Sequence, residues 1–404
     1  MGRCNMERKK PLEDIVVLDF TRVLAGPYCA MILANLGAKI IKVERPETGD
    51  DSRSFGPYKN GQSAYFVSLN RGKKSIAIDL KKPEGKQIIK ELAKVSDVVL
   101  ENFRPGTTRK LGLSYDVLSK INPRVIYAAV SGFGHSGPYS EKPAYDMIAQ
   151  ALGGIMSITG QPGGEPTRVG SSVGDIIAGM FGAIGIISAI YERVFTGKGQ
   201  MVDVAMLDGQ VAVLENAIAR YDISGEVPGP IGSRHPSITP FGGFKTKDSW
   251  VIIACGNQVI WERFCKVVNR EDLLEVEEFK TNEKRTENYQ KIKPVLDEIV
   301  IQKTTEEWLK IFESGSVPAS AINTVDKLFN DPQVKARKMI IEAEQPGMGK
   351  MHLAGNPIKL STVTEEVVTD PAPKIGEHTD EILQSFLNYD DIRIDELKKQ
   401  KIIF

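Results

Sequence analysis

The chain has 404 residues, with 52 lysines and arginines set against 52 aspartates and glutamates. That length allows two or three domains, and the even charge leaves no global field for nucleic acid or an anionic membrane. Four cysteines, Cys4, Cys29, Cys255 and Cys265, form no CxxC pair, which suits a reducing cytoplasm. Four scattered histidines argue against a histidine-built metal site. The first ten residues carry charge with no apolar run behind them, unlike a signal peptide, and Met6 stands where a myristoylation signal requires Ser or Thr.

In chain order, a buried strand is expected over 15–19, then a helix through Leu36 with Pro27 at its first position, then a strand over 38–44. This βαβ unit has one glycine in its turn and no GxGxxG, so an NAD-type site is not expected. Basic residues gather in the next turns, at Arg45, Arg53, Arg71, Lys73, Lys74, Lys81 and Lys82. They read as solvated loops or, taken together, as the surroundings of a polyphosphate ligand. Strands over 75–79, 97–100 and 125–130 alternate with helices, which predicts an α/β fold with a doubly wound, mostly parallel sheet. The turn Glu101 to Gly106 follows a strand's C-terminal end, where open α/β sheets bind ligands. Tyr145 opens a further helix.

The small-residue loop Gly170 to Gly174 stops at Asp175, and an apolar helix is expected over 176–195 with Thr196 and Gly197 as its stop. A carboxylate with a pKa of roughly 3.9 beside a helix N-terminus should be ionised at neutral pH. Asp175 reads either as an N-cap or as a nucleophilic carboxylate, and the local residues leave both open. Residues 176–191, ahead of Glu192, fall short of the roughly 20 a bilayer requires. Gly179, Gly182 and Gly185 leave a groove for another backbone. A Pro/Gly linker over 223–232 predicts a large domain of residues 1–222 with 331–404, and a smaller α+β domain of 223–330. The tail from Thr379 reads as a polar helix packed on a surface.

Seven stretches, taken together, resemble the class III CoA-transferases. They are Val17 to Pro27, Ile41 to Pro46, Glu101 to Gly106, Gly174-Asp175, Gly197 to Gln200 with Val202 to Asp208, His235 to Ser237, and Gly376 to Asp380. The resemblance implies that Asp175 is the nucleophile, and that an acyl-CoA donor and a small or dicarboxylic acid acceptor exchange coenzyme A through it. No metal, nucleic acid or membrane is implied. It also implies CoA contacts along the chain. Val23, Leu24 and Ala25 would lie on the pantetheine arm, Arg45 on the nucleotide, and Ile78 to Lys81 around the adenine. Asn102, Phe103 and Arg104 would run along the cofactor, and Lys110 would face its phosphates. Tyr145 joins this set, at the position of the catalytic histidine in the related α-methylacyl-CoA racemases. Tyrosine, with a pKa of about 10, is a poor base at neutral pH, which favours transfer over racemisation. His135 is expected to face solvent. The short segment Thr239 to Phe244, where formyl-CoA transferases carry a longer glycine-rich one, argues against formyl-CoA and oxalate as a specific pair. An intertwined homodimer is implied, and a CoA-binding protein without turnover remains the third reading.

Overall fold

The structure, a computed structural model, describes residues 10–363 and 367–404. Cys4 and the readings made on the first nine residues lie outside them. The chain forms two compact units. One holds the residues up to 155 with 168–219 and 332–404; the other holds 156–167 and 220–331. Residues 156–167 thus group with the second unit, where the sequence reading had placed them in the large domain.

The first unit is a mixed α/β fold on a six-stranded parallel sheet. Its strands are β1 (Val16–Asp19), β2 (Lys39–Glu44), β3 (Lys74–Ala77), β4 (Val98–Glu101), β5 (Ile126–Ser131) and β6 (Met201–Ala205). Strand order is β3-β2-β1-β4-β5-β6, and every pairing is parallel. Parallel strands are covered on both faces, so they read as unbroken apolar runs such as Val-Val-Leu. Val16 and Leu18 enter one apolar core, while Val17 enters the other. The order reverses between β1 and β4. Chain leaving β1 turns one way and chain leaving β4 the other, which opens a crevice at their C-terminal ends. This is the strand order of dinucleotide-binding folds, reached here without their glycine fingerprint.

Helix α1 (Ala25–Asn35) follows β1, and α2 (Val173–Thr196) packs against it. Pro27 is the third residue of α1 rather than the first, still within the turn whose N–H groups have no helical acceptor. Helix α2 starts three residues earlier than expected and runs 24 residues, so the length argument against a membrane span fails. Its glycines place it in the core instead. A Cβ on Gly179 would lie 2.6 Å from the Ala25 carbonyl oxygen, and one on Gly185 would lie 2.6 Å from the Val202 side chain. Near its C-terminal end, buried Arg193 pairs with Asp97 at 2.8 Å. Gly197 ends it in the left-handed conformation expected of a terminating glycine.

The tail is not a surface addition. Ile382, Leu383, Tyr389, Ile394, Ile402 and Ile403 are buried in the core that holds Val16 and Leu18. The N–H of Phe404 bonds the Ala77 carbonyl, which covers the exposed edge of β3. The second unit carries a three-stranded antiparallel sheet, with Trp250–Ala254 between Phe241–Lys245 and Ala319–Ala321. Helices over Gln258–Val267, Tyr289–Val300 and Thr305–Ser314 bury Trp261, Phe264, Trp308 and Phe312 beside it.

Candidate active site

Two cavities open at the crevice where the strand order reverses. The first, about 540 Å³, is lined by Arg22, Lys42, Glu44, Arg45, Ile78, Lys81, Phe103 and the C-terminal Phe404 among others. The second, about 380 Å³, is lined by Arg22, Val23, Leu24, Ala25, Asn102, Phe103, Arg104, Lys142, Tyr145 and Asp175 among others. Sequence reasoning thus named residues that the fold gathers from the ends of β1, β2, β3 and β4 and the start of α2. Lys110 lines neither cavity. It is exposed on the five-residue helix Thr107–Leu111, which sends Leu111 to the first cavity instead.

The loop after β1 is held from both sides. The Arg22 N–H donates to Asn102 Oδ1 at 2.9 Å, and Asn102 Nδ2 donates to the Arg22 carbonyl at 2.8 Å. Val23 then adopts φ +68°, a left-handed conformation that a β-branched residue rarely takes. Its N–H donates to Asp50 Oδ1 at 3.0 Å. Strain of this kind collects at functional sites, where the surroundings over-determine the backbone. Asp50 itself pairs with Lys42 at 2.8 Å, both side chains 1 % exposed. Burial works against the charge on Asp50, but the Lys42 ammonium and the N–H groups of Val23 and Ser52 outweigh it. The carboxyl is held well below the usual range. Beside it, Glu44 makes two hydrogen bonds to Arg53, at 2.8 and 2.6 Å.

Asp175 is the third residue of α2, not its cap. Ser172 holds the cap position and makes no side-chain capping bond. The free N–H of Gly174 is taken instead by Asp146 Oδ1 at 2.8 Å. Gln150, fully buried, donates to Asp146 Oδ2 at 2.9 Å and accepts the Val169 N–H at 2.9 Å, so these two side chains fix both ends of the loop before the nucleophile candidate. Asp175 is left half-buried in the cavity. Burial, with the Asp146 charge second, pushes its carboxyl up to about 7. The expectation of a fully ionised group is corrected: desolvation outweighs the helix terminus. Tyr65 lies in the same field; burial and then the Asp175 charge push its phenol up to about 12.

Sequence reasoning passed over Arg22, Asp50, Asp146 and Tyr65. Arg22 adjoins Val23 and Asp146 adjoins Tyr145, so proximity was the only signal. His135 is not solvent-facing as expected. Its ring is 22 % exposed, with Nε2 3.6 Å from Oε1 of Glu101, whose carboxyl burial pushes up to about 7. No histidine lines the Asp175 cavity among the described residues. Tyr145 does line it and is 74 % exposed. No group of three or more His, Cys, Asp or Glu side chains that would hold a metal occurs among the described residues.

The family profile described as CoA-transferase family III matches residues 12–379. Succinyl-CoA:glutarate CoA-transferase from Homo sapiens is 38 % identical over 400 residues, covering 99 % of this chain and 91 % of the relative. Acetyl-CoA:oxalate CoA-transferase from Acetobacter aceti is 41 % identical over 370 residues, covering 91 % and 94 %. Among solved structures, a CAIB/BAIF family protein from Brucella suis superposes with a TM-score of 0.82 at 38 % identity, covering 94 % of this chain and all of that one. A protein from Mycobacterium tuberculosis, solved as an aspartate-to-alanine mutant, gives 0.83 at 31 % identity, covering 92 % and 98 %.

Proposed function

Because the chain belongs to CoA-transferase family III and is a CoA-transferase, we propose that it moves CoA from an acyl-CoA donor to a dicarboxylic acid through a covalent intermediate on Asp175. The observation that carries the reading is a half-buried carboxylate sharing one cavity with Val23 to Ala25 and Asn102 to Arg104, beside a second cavity rimmed by Arg45 and Lys81. The relatives' names supply the acid class, since glutarate and oxalate are both dicarboxylates.

In this reading the Asp175 carboxylate attacks the donor thioester carbonyl, and the carbon–sulfur bond breaks to release CoA thiolate. A mixed anhydride remains on Asp175. The thiolate attacks the aspartyl carbonyl of that anhydride, expels the donor acid, and leaves an aspartyl-CoA thioester. The acceptor carboxylate then attacks this thioester and releases the thiolate again. Attack of the thiolate on the acceptor's own carbonyl gives the new acyl-CoA and restores Asp175. Splitting the exchange into four acyl transfers lowers each barrier. A carboxylate stripped of much of its water is a stronger nucleophile than a solvated one. The pantetheine arm would follow Val23 to Ala25, and the nucleotide would occupy the larger cavity with Arg45, Ile78 and Lys81. Arg104 would lie along the cofactor, while exposed Lys110 has no lining position to support its phosphate role. Racemisation is disfavoured by Tyr145, which offers a phenol where a neutral base is required.

The test is incubation with succinyl-CoA or acetyl-CoA and a panel of mono- and dicarboxylic acids, followed by mass spectrometry of the thioesters. New thioesters of dicarboxylic acids are expected. Solvent deuterium at an α-carbon would indicate racemisation, and CoA binding with neither outcome would indicate a binding protein.

The same reading makes the enzyme a homodimer. Supporting it is the outer face of α2, where Met180, Phe181, Ile184, Tyr191, Val194 and Phe195 are all exposed, more apolar surface than an isolated chain ordinarily leaves bare. Sedimentation at micromolar concentration should give twice the 44.5 kDa chain mass; a monomer would contradict it. The buried free thiols of Cys29, Cys255 and Cys265 suit the cytoplasm proposed as its location.

A further inference from the structure

The two cavities share Arg22 and Phe103 as lining residues. A CoA thioester with its nucleotide in the larger cavity and its sulfur at Asp175 must therefore pass between them. The Arg22 guanidinium lies 5.7 Å from the centre of the Phe103 ring, and its Nη1 meets Asp51 Oδ2 at 2.6 Å. Arg45 reaches the other oxygen of the same carboxylate from the larger cavity. One aspartate thus bridges two arginines at the neck of the site. Arg22 Nε, meanwhile, is buried with no hydrogen-bond partner. The backbone of Arg22 is pinned by Asn102 through both N–H and carbonyl, so only its side chain is free to respond to a ligand.

We propose that Asp51 is an internal stand-in for the diphosphate of CoA: it bridges Arg22 and Arg45 in the free enzyme and is displaced from both when CoA binds. The inference rests on the CoA reading of the site and adds to it a residue that sets affinity for the cofactor. The chemistry matches. A diphosphate carries two negative phosphoryl groups, enough for two guanidiniums, and offers a further oxygen to the unpartnered Nε of Arg22. The carboxylate of Asp51 has only its two oxygens, both already engaged. Asp51 and both arginines are at least 36 % exposed, so these ion pairs are weak enough for a multiply charged ligand to replace. The internal carboxylate also repels an anionic ligand that lacks the means to displace it. Nucleotide and pantetheine are thereby admitted together, as one molecule carrying a diphosphate between them.

The experiment is calorimetric titration of the wild-type protein and Asp51→Asn with CoA, dephospho-CoA and pantetheine. Asparagine keeps the shape and removes the charge. CoA and dephospho-CoA, which both carry the diphosphate, should each bind about fivefold more tightly to Asp51→Asn, and pantetheine should bind unchanged. Asp51→Glu, which retains the charge, should stay near the wild-type affinity, and Arg22→Met should weaken CoA and dephospho-CoA alike. Equal or weaker CoA binding by folded Asp51→Asn would make Asp51 a support for the arginines and overturn the proposal. An equal gain for pantetheine would overturn it as well. If wild-type protein bound no CoA at all, the CoA reading of the site would fall, and this inference with it.

Discussion

Asp175→Asn should lower transferase turnover by at least about 10³-fold while leaving CoA affinity within a factor of about three. An amide is a very poor nucleophile toward a thioester, and the other carboxylate lining the second cavity, Asp51, is engaged by Arg22 and Arg45. Capping does not complicate the experiment, because Asp175 is not the cap and Asp146 takes the free N–H of Gly174 at the start of α2. Stability should move the other way. With a folded pKa of about 7 against an unfolded value of about 3.8, the native state holds the extra proton between those limits. Stability is therefore lost as pH rises through that window, and the loss is complete above about pH 7. The Asn variant escapes it. Its melting temperature should match wild type near pH 4 and exceed it at pH 8, by roughly 1–2 °C for each kcal/mol recovered in a chain of this length. A variant that melts lower at pH 8 would contradict the burial account. Wild-type kcat/KM should fall with decreasing pH below about 7, as the nucleophile takes up its proton.

The second large effect is structural. Asp50→Asn should destabilise the protein by about 3–5 kcal/mol, because it removes the carboxylate paired with the Lys42 ammonium at 1 % exposure and leaves it only the weaker fields of Asp19 and Glu44. The Lys42 side chain still reaches the Thr21 carbonyl at 2.8 Å, which satisfies a proton but not a charge. The loop that carries Val23 should loosen as well, so CoA affinity is expected to fall together with the melting temperature. Removing both charges, as Lys42→Met with Asp50→Asn, should recover part of the stability, since the stranded ammonium is gone and the Asn oxygen still accepts from the Val23 and Ser52 N–H groups. The pair's contribution is complete above the unfolded pKa of about 3.8 and fades only as pH falls toward the depressed folded value. Calorimetry or chemical denaturation measures this directly. A loss under about 1 kcal/mol would mean that Lys42 finds water or another acceptor.

The turns that line the cavities were legible because they follow predictable points of a parallel sheet, while the CoA roles of their residues came from the family resemblance. The runs Val-Val-Leu-Asp and Val-Val-Leu-Glu mark β1 and β4, and the turns beyond them carry Val23 to Ala25 and Asn102 to Arg104. Chain order does not reveal strand order, however. That β1 and β4 are neighbours, and that the crevice lies between their ends, depends on which strands pair across some eighty residues. The start of α2 was misplaced for a similar reason. Its Gly174 N–H is satisfied by Asp146, 28 residues earlier, and no local capping residue signals it. Burial, with the same distant carboxylate second, raises the carboxyl pKa that a helix start would by itself lower. Lys110 was placed by the family resemblance. A one-residue offset on a short helix decides that Leu111, and not Lys110, meets the cavity. The tail looked polar because its buried isoleucines are spread over three segments that only the fold brings together.

The central claim is that Asp175 carries the acyl group and then CoA itself. Its most direct test is to incubate wild-type protein and Asp175→Asn with an acyl-CoA, quench with hydroxylamine or borohydride, and map the modified peptide by mass spectrometry. Hydroxylamine converts an aspartyl anhydride or thioester to the hydroxamate, and borohydride reduces the thioester to the alcohol. Wild-type protein is predicted to carry either product at residue 175 and at no other carboxylate, with none on the variant. Sustained transferase turnover by the folded Asp175→Asn protein, or an unmodified residue 175 in turning-over wild type, would contradict the mechanism.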